Sequence, residues 1–323
     1  MGRYIARRSL FMVLVLFLVS LLTFLIFVKM PAGDPAIRAA GKTVTPEQVR
    51  QVRKTLGLDD PVWVQYGRFA KGLIPWPGMF LNPKVYYSWN DYVPVRENIF
   101  RRLPVTASLV LGAAVLWFTL GTSVGIVSAI RRRSFVDRAG MIFALFGVSI
   151  PVFWIGYVLI YIFSIKLRLL PGGGIPAGEN TFQAVLHGRF VLPWIAVSLA
   201  SAAIYARMTR ANLIETMSED YIRTARAKGL SERRVIFKHG LRVSLTSLVT
   251  LLGLDVGYLM GGALLTEQVF NLQGIGKYLV DSLARNDFPA TMGVTVFASL
   301  FIILANLLVD VMYAFLDPRV RYS

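Results

Sequence analysis

Residues 104–130 read PVTASLVLGAAVLWFTLGTSVGIVSAI, 27 residues without a charged side chain. A helix rises 1.5 Å per residue, so about 20 apolar residues cross the ~30 Å hydrocarbon core of a bilayer. Working outward, the same test finds more such runs. Ser9–Val28 is uncharged for 20 residues, Ala139–Ile165 for 27 and Phe190–Ala206 for 17. Val243–Thr266 holds one charge, Asp255, and Phe288–Leu316 holds one, Asp310. Six runs predict six transmembrane helices, an all-α polytopic membrane protein. Pro151 lies inside the third run and is expected to bend it.

Composition agrees. Of 323 residues, 55% are hydrophobic and 16% charged, against about 25% charged in an ordinary soluble domain. The absence of cysteine excludes disulfides, iron–sulfur clusters and thiol catalysis, and two histidines, His187 and His239, give no basis for a His-rich metal centre. No cofactor is expected. The formal charge is +17, which in a soluble protein would raise nucleic-acid binding; here the charge lies between apolar runs, so no nucleic-acid partner is expected.

The basic residues also give orientation. One side receives Arg3, Arg7 and Arg8, the Arg131–Arg138 turn, the Arg207–Arg242 connection and the C-terminal tail, for 18 Lys and Arg; the short connections opposite hold 5. Both termini are therefore expected in the cytoplasm. Arg3, Arg7 and Arg8 before Ser9–Val28 resemble the start of a signal peptide, but the apolar run exceeds the roughly 7–15 residues of a signal core, and a retained anchor is expected.

Three regions follow: 1–30, a cytoplasmic tail and first span; 31–103, a long extracytoplasmic loop; and 104–323, a membrane core. In the loop, Thr45-Pro46-Glu47-Gln48 predicts a capping box with proline at the first helical position. Val49, Val52 and Leu56 follow at helical spacing, and Gly57 ends that helix. Asp60-Pro61 opens a second helix carrying Trp63, Tyr66 and Phe69. A second outer loop, Leu170-Pro171-Gly172-Gly173-Gly174-Ile175-Pro176, is expected to be non-helical.

A carboxylate at mid-membrane costs roughly 2.5–3.5 kcal/mol on insertion scales, so Asp255 must face protein or water. Two readings stand: Asp255 lines a solute path, or it anchors a neighbouring helix. Gly253, Gly257 and Gly261 form a small-residue stripe for helix packing on the same segment. Asp310 reads as a bond to a neighbouring helix, and Gly121 and Gly125 as packing positions.

The connection 207–242 is the richest in signals. Leu213, Met217 and Tyr221 fall on one helical face continued by Ala225 and Lys228; Gly229 suits a left-handed helix end; Ser231 can cap a second helix, Glu232–Leu241, with Val235, Ile236 and His239 as contact candidates. Helix, glycine, helix, with nine basic residues, is a docking element for a protein partner; the plainer reading is a basic loop resting on lipid headgroups.

Asp220-Tyr221-Ile222-Arg223-Thr224-Ala225-Arg226-Ala227-Lys228-Gly229-Leu230, followed by His239, resembles the EAA loop of ABC importer permeases in its peptide-permease form. The general pattern's glutamate and two alanines fall here on Arg223, Thr224 and Ala225, so only Ala225 and Gly229 match. Its later Ile-x-Leu-Pro falls on His239, Gly240, Leu241 and Arg242, with the leucine kept. These departures are similar to those of the dipeptide/oligopeptide/nickel branch. Further resemblance lies in Pro31-Ala32-Gly33-Asp34-Pro35, Gly57-Leu58-Asp59-Asp60-Pro61 with Gln65-Tyr66, Leu103-Pro104-Val105-Thr106, Ser149-Ile150-Pro151-Val152-Phe153-Trp154, Glu267-x-x-Phe270 with Gly274-x-Gly276, and Leu316-Asp317-Pro318-Arg319. The long outer loop resembles the B-type subunit of a B/C permease pair.

The resemblance implies the type I ABC importer membrane fold in the cytoplasmic membrane of a prokaryote, carrying di- or oligopeptides. It implies a C-type permease partner, two cytoplasmic ATPase subunits and an extracytoplasmic solute-binding protein, in contact with membrane lipid. Tyr221, Arg223, Thr224, Ala225, Lys228, Gly229, Leu230 and His239 are the expected ATPase-coupling residues. Internal evidence agrees that this chain is not the ATPase: the nearest approach to a phosphate-binding loop, Gly274-Ile275-Gly276-Lys277, has Asn271 and Tyr278 where Gly and Ser/Thr are needed. A secondary transporter with Asp255 as its coupling site is the alternative; a membrane enzyme finds no motif.

Overall fold

The computed structural model describes residues 2–29, 34–40, 45–73, 81–82 and 86–316, with side chains described for most of them up to Val309. Helix α1 spans Gly2–Phe24 and continues as a wide turn, Leu25–Lys29; α2 is Pro35–Ala40, α3 Pro46–Leu56, α4 Val62–Lys71 and α5 Val95–Ile130. Then come α6 (Phe135–Ser149), α7 (Val152–Leu159, extended by Ile160–Lys166), α8 (Thr181–Leu186) and α9 (Val191–Thr216). The rest are α10 (Asp220–Ala227), α11 (Glu232–Arg234, extended by Val235–Gly240), α12 (Leu241–Ser244), α13 (Thr246–Met260), α14 (Leu264–Val269), α15 (Ile275–Ala284) and α16 (Phe288–Leu316). Pro31-Ala32-Gly33 and the C-terminal Asp317-Pro318-Arg319 lie outside the described residues, as does the side chain of Asp310.

Among the described residues, four helices are long and apolar enough to cross a membrane singly, and counting each of two bent pairs as one crossing gives six. The third apolar run bends at Pro151 as expected, and sharply: α6 and α7 meet at 101°. Pro151 has no N–H to continue α6, and it drives Ile150 into extended backbone, at φ −98° and ψ 128°. The fifth run, Val243–Thr266, is not one helix: its main part, α13, is bent by 44° from the preceding segment Glu232–Ser244, and residues 261–263 separate it from α14. Helix α13 stops at Met260, so Gly261 stands beyond it and the expected three-glycine stripe keeps only Gly253 and Gly257 on the helix.

Contacts divide the chain into two units. The first comprises residues 1–106, 260–264 and 273–307. Its core includes Phe24, Phe69, Tyr86, Ile99, Tyr278 and Phe297. Here the local code is plain. Thr45 and Gln48 exchange the two bonds of a capping box, and Gly57 closes α3 in the left-handed region at φ 63°. Tyr66 and Phe69 turn inward from α4, with Tyr66 Oη 2.9 Å from Ser20 Oγ on α1, while Trp63 is exposed.

The second unit comprises residues 107–259, 265–272 and 308–323, and it is organised around α9. Small residues explain the fit. A Cβ on Gly121 would lie 2.7 Å from the Ala202 carbonyl oxygen, and one on Gly125 2.6 Å from that of Ala206, so α5 touches α9 backbone to backbone. On another side Gly147 of α6 brings the same approach at the Leu199 carbonyl, 2.9 Å from an added Cβ. The Gly-rich outer loop is non-helical as expected, and its Gly174 N–H donates to the Phe270 carbonyl at 2.8 Å.

Candidate functional site

Helix α9 runs ten residues past the end of its apolar stretch, to Thr216, and then breaks over Met217–Glu219 before α10 begins. The break resets the helical phase. Ile222 and Ala225 turn inward and join Val235, with Met217 and Leu230 packed against them. This apolar cluster closes α10 onto α11. Tyr221, expected on the inward face, is 42% exposed. The continuous stripe from Leu213 through Tyr221 is thereby corrected: three non-helical residues rotate the following face, and Ile222 takes the inward place.

Gly229 makes the turn. It sits at φ 76°, where a residue with a Cβ is strained. Its N–H donates to the Arg226 carbonyl at 2.9 Å and the Leu230 N–H to the Ala225 carbonyl at 3.4 Å. These are the two bonds of a Schellman end, and Leu230 supplies the apolar contact back onto the helix. Arg226 Nε donates to Glu232 Oε1 at 2.6 Å, an ion pair across the turn. Ser231 precedes α11 in extended backbone but makes no side-chain cap bond, unlike the expectation.

What remains outward is a polar face: Tyr221, Arg223, Thr224, Lys228 and Gly229 are exposed, while Ala225 is buried and Leu230 and His239 are half-buried. Arg223 pairs with Asp220 at 3.2 Å, and Thr224 Oγ1 donates to the Asp220 carbonyl, so neither side chain is tied to another element. A groove of about 540 Å³ lies beside the turn, lined by Ile130 and Arg132, by Leu213 and Met217, and by Arg226 and Ile236.

The end of α9 that leads into this element is tied to α6, α12 and α13 by contacts the sequence reading missed. Arg210 on α9 donates through Nε to Asp137 Oδ1 at 2.6 Å and through Nη2 to Oδ2 at 2.9 Å. The Arg133 N–H donates to the same carboxylate at 2.9 Å, and Asp137 is 4% exposed. Ser244 Oγ bonds Thr216 Oγ1 at 3.1 Å, and Asn212 Nδ2 donates to Ser247 Oγ at 2.8 Å. The only sequence signal for the first of these was a lone carboxylate within a run of four arginines.

Asp255 is half-buried, and its Oδ2 accepts the Tyr205 hydroxyl at 2.8 Å. Tyr205 is 1% exposed and packs against the rings of Trp117 and Phe118. Trp117 Nε1 is buried beside it without a hydrogen-bond partner. Gly253, on another side of α13, meets Val309, and Gly257 is buried. One face of α13 thus packs while another holds the carboxylate.

Comparison with known proteins adds the following. Residues 121–322 match the family described as binding-protein-dependent transport system inner membrane component, and residues 1–110 match the N-terminal part of such components. A protein of Sinorhizobium fredii named as a probable peptide ABC transporter permease is 39% identical over 323 residues, the full length of both chains. Proteins of Escherichia coli and Shigella flexneri named as glutathione transport system permeases are 38% identical, again over both full lengths.

Proposed function

Because the chain belongs to the family of binding-protein-dependent transport system inner membrane components, a group of multi-pass permease subunits that are not themselves enzymes, we propose that it passes peptides inward through the membrane under the control of separate ATPase subunits. A peptide permease and glutathione permeases among its relatives support small peptides as the cargo class, glutathione included. The partners in this reading are a C-type permease chain, two ATPase subunits and an extracytoplasmic solute-binding protein.

The observation that carries the reading is the helix–turn–helix at the end of α9. Its apolar residues are spent internally on Ile222, Ala225 and Val235, while its outward face is exposed and unattached. The end of α9 that leads into it is tied by Arg210, Asn212 and Thr216 to α6, α13 and α12. An element that is stiff inside, anchored behind and free in front transmits a push from a partner. ATP-driven closure of the ATPase pair would bias the permease between two access states through it. Asp255 serves in this scheme as the anchor of α13 on α9, through Tyr205.

Cysteine cross-linking tests the contact. Thr224→Cys and Lys228→Cys should cross-link to the co-purified ATPase subunit, with the yield changing when nucleotide is added. Ile222→Cys should not, because its side chain faces the internal cluster. Equal yields at all three positions, or none at the outward two, would overturn the assignment.

A further inference from the structure

Where α5 ends and α6 begins, the two helices leave an open apolar groove of about 510 Å³ that plays no part in coupling. Gly140 accounts for its floor. A Cβ there would lie 2.8 Å from Ser128 Oγ, so α6 comes down onto α5 with no side chain between them. Val124 and Val127 of α5 line one wall, and Phe135 and Phe143 of α6 the other. Val127, Phe135 and Phe143 are all exposed. From Phe135 to Phe143 the groove follows eight residues of helix, about 12 Å, against the roughly 15 Å of hydrocarbon in one leaflet.

Positive charge stands at the head of this groove. The Arg131 N–H donates to the Val127 carbonyl at 3.0 Å, which carries the helical bonding of α5 one residue past Ile130. Arg131 thus falls on the face of Val127 and Ser128, four and three residues earlier. Arg132 instead lines the other groove, beside the helix–turn–helix. The one carboxylate between residues 131 and 138, Asp137, is held by Arg210. The guanidinium groups of Arg131, Arg133 and Arg138 are exposed, and among the described residues they have no ion pair or hydrogen bond. An apolar cleft headed by unpaired cations is the complement of an amphiphile with an anionic head.

We infer that this groove holds an acyl chain of an anionic phospholipid, from the leaflet on the side of the helix–turn–helix, with the phosphate on Arg131. Arg133 and Arg138 add positive field, which favours a lipid of net negative charge over a zwitterion. An ethanolamine ammonium would find no free carboxylate in the turn, because Asp137 is already paired. The site is independent of the cargo and of the ATPase contact, so its failure leaves the coupling reading standing.

The purified complex containing the full chain is equilibrated with equal amounts of phosphatidylglycerol and phosphatidylethanolamine of the same acyl composition, and retained lipid is identified by native mass spectrometry. Phosphatidylglycerol should be retained in preference. Arg131→Gln should lower its retention about fivefold, the worth of one basic residue at a membrane surface. Arg132→Gln removes the same charge from the same turn but on the side of the other groove, and should leave retention unchanged. Ala139→Trp, which fills the groove from an exposed position while Arg131 stays, should remove the bound lipid; the two arginine variants decide the matter if that one fails to fold. Glycerophosphoglycerol, the headgroup without its chains, should not displace the lipid. Equal retention of the two lipids, equal losses from Arg131→Gln and Arg132→Gln, or displacement by the chainless headgroup would each overturn the assignment. So would a disulfide from Phe135→Cys to a second permease chain, which would place protein in the groove.

Discussion

Gly229→Val perturbs the turn without touching its packing, because a Cβ at Gly229 meets no atom within 4 Å. The cost is therefore backbone alone. At φ 76° a residue with a side chain costs about 1–2 kcal/mol, and a β-branched one falls at or above the top of that range. Since about 1.4 kcal/mol is a factor of ten, the Schellman turn should lose roughly ten- to thirtyfold in population against frayed alternatives. In an assay of peptide uptake by reconstituted complex, uptake per ATP hydrolysed should fall by about that factor, with the amount of protein in the membrane unchanged. Gly229→Asn is the control, since asparagine tolerates the left-handed region, and it should retain most of the coupling. Undiminished uptake in the valine variant would refute the reasoning. So would equal loss in the asparagine variant, which would make the residue's size or contact surface, not its dihedral angle, the cause.

Arg210→Ala leaves Asp137, 4% exposed, without its bidentate partner; removing one member of a buried pair costs about 3–5 kcal/mol, so a fluorescence melt of the detergent-purified protein should show a clear drop in midpoint, much of it recovered by adding Asp137→Asn. Gly121→Leu drives a side chain into the Ala202 carbonyl, whose oxygen lies 2.7 Å from the Cβ alone, and the yield of folded protein in size-exclusion chromatography should collapse, whereas Gly67→Leu, with open space around it, should behave as the parent. Tyr205→Phe removes the O–H that Asp255 accepts and should destabilise by about 1–3 kcal/mol, while Asp255→Asn, which keeps an acceptor, should preserve ATP-dependent uptake; abolished uptake in a folded Asp255→Asn protein would make the carboxylate part of the path instead of an anchor.

What was legible in the sequence had its causes within four or five residues. Thr45 and Gln48 specify their capping box, and Gly57 and Gly229 their left-handed ends, because a helix terminus is a local contest over a few N–H and carbonyl groups. The apolar runs were legible for the same reason. Phase across an interruption was not. Met217–Glu219 breaks the helix, and the face that follows is set by how Ile222 meets Val235, a contact between residues 13 positions apart. Ser231 shows the converse: a residue suited to capping that makes no cap bond. Pro151 announced a bend, but its size of 101° depends on how α6 and α7 pack against α9, as Gly147 and its neighbours record. The pairs Asp137–Arg210 and Tyr205–Asp255, 73 and 50 residues apart, leave no local trace beyond a carboxylate in an unexpected place.

Those same long-range pairs constrain how the second unit can move. The first two-thirds of α9 meets α5 and α6 through Gly, Ala and backbone, and through the hydrogen bond that Trp194 Nε1 donates to the Ser108 carbonyl of α5 at 2.9 Å. Its cytoplasmic third carries the bidentate ion pair and two hydrogen-bonded ties to the helices that follow α10. Parting Asp137 from Arg210 would strand a buried charge at a cost of about 3–5 kcal/mol, whereas sliding α9 along α5 gives up the one neutral hydrogen bond from Trp194 to Ser108, worth about 0.5–1.5 kcal/mol. In the proposed coupling, a push on α10 would displace the helix–turn–helix, the end of α9 and the start of α6 as one body, with the compliance lying earlier along α9, where Gly121 and Gly125 meet it.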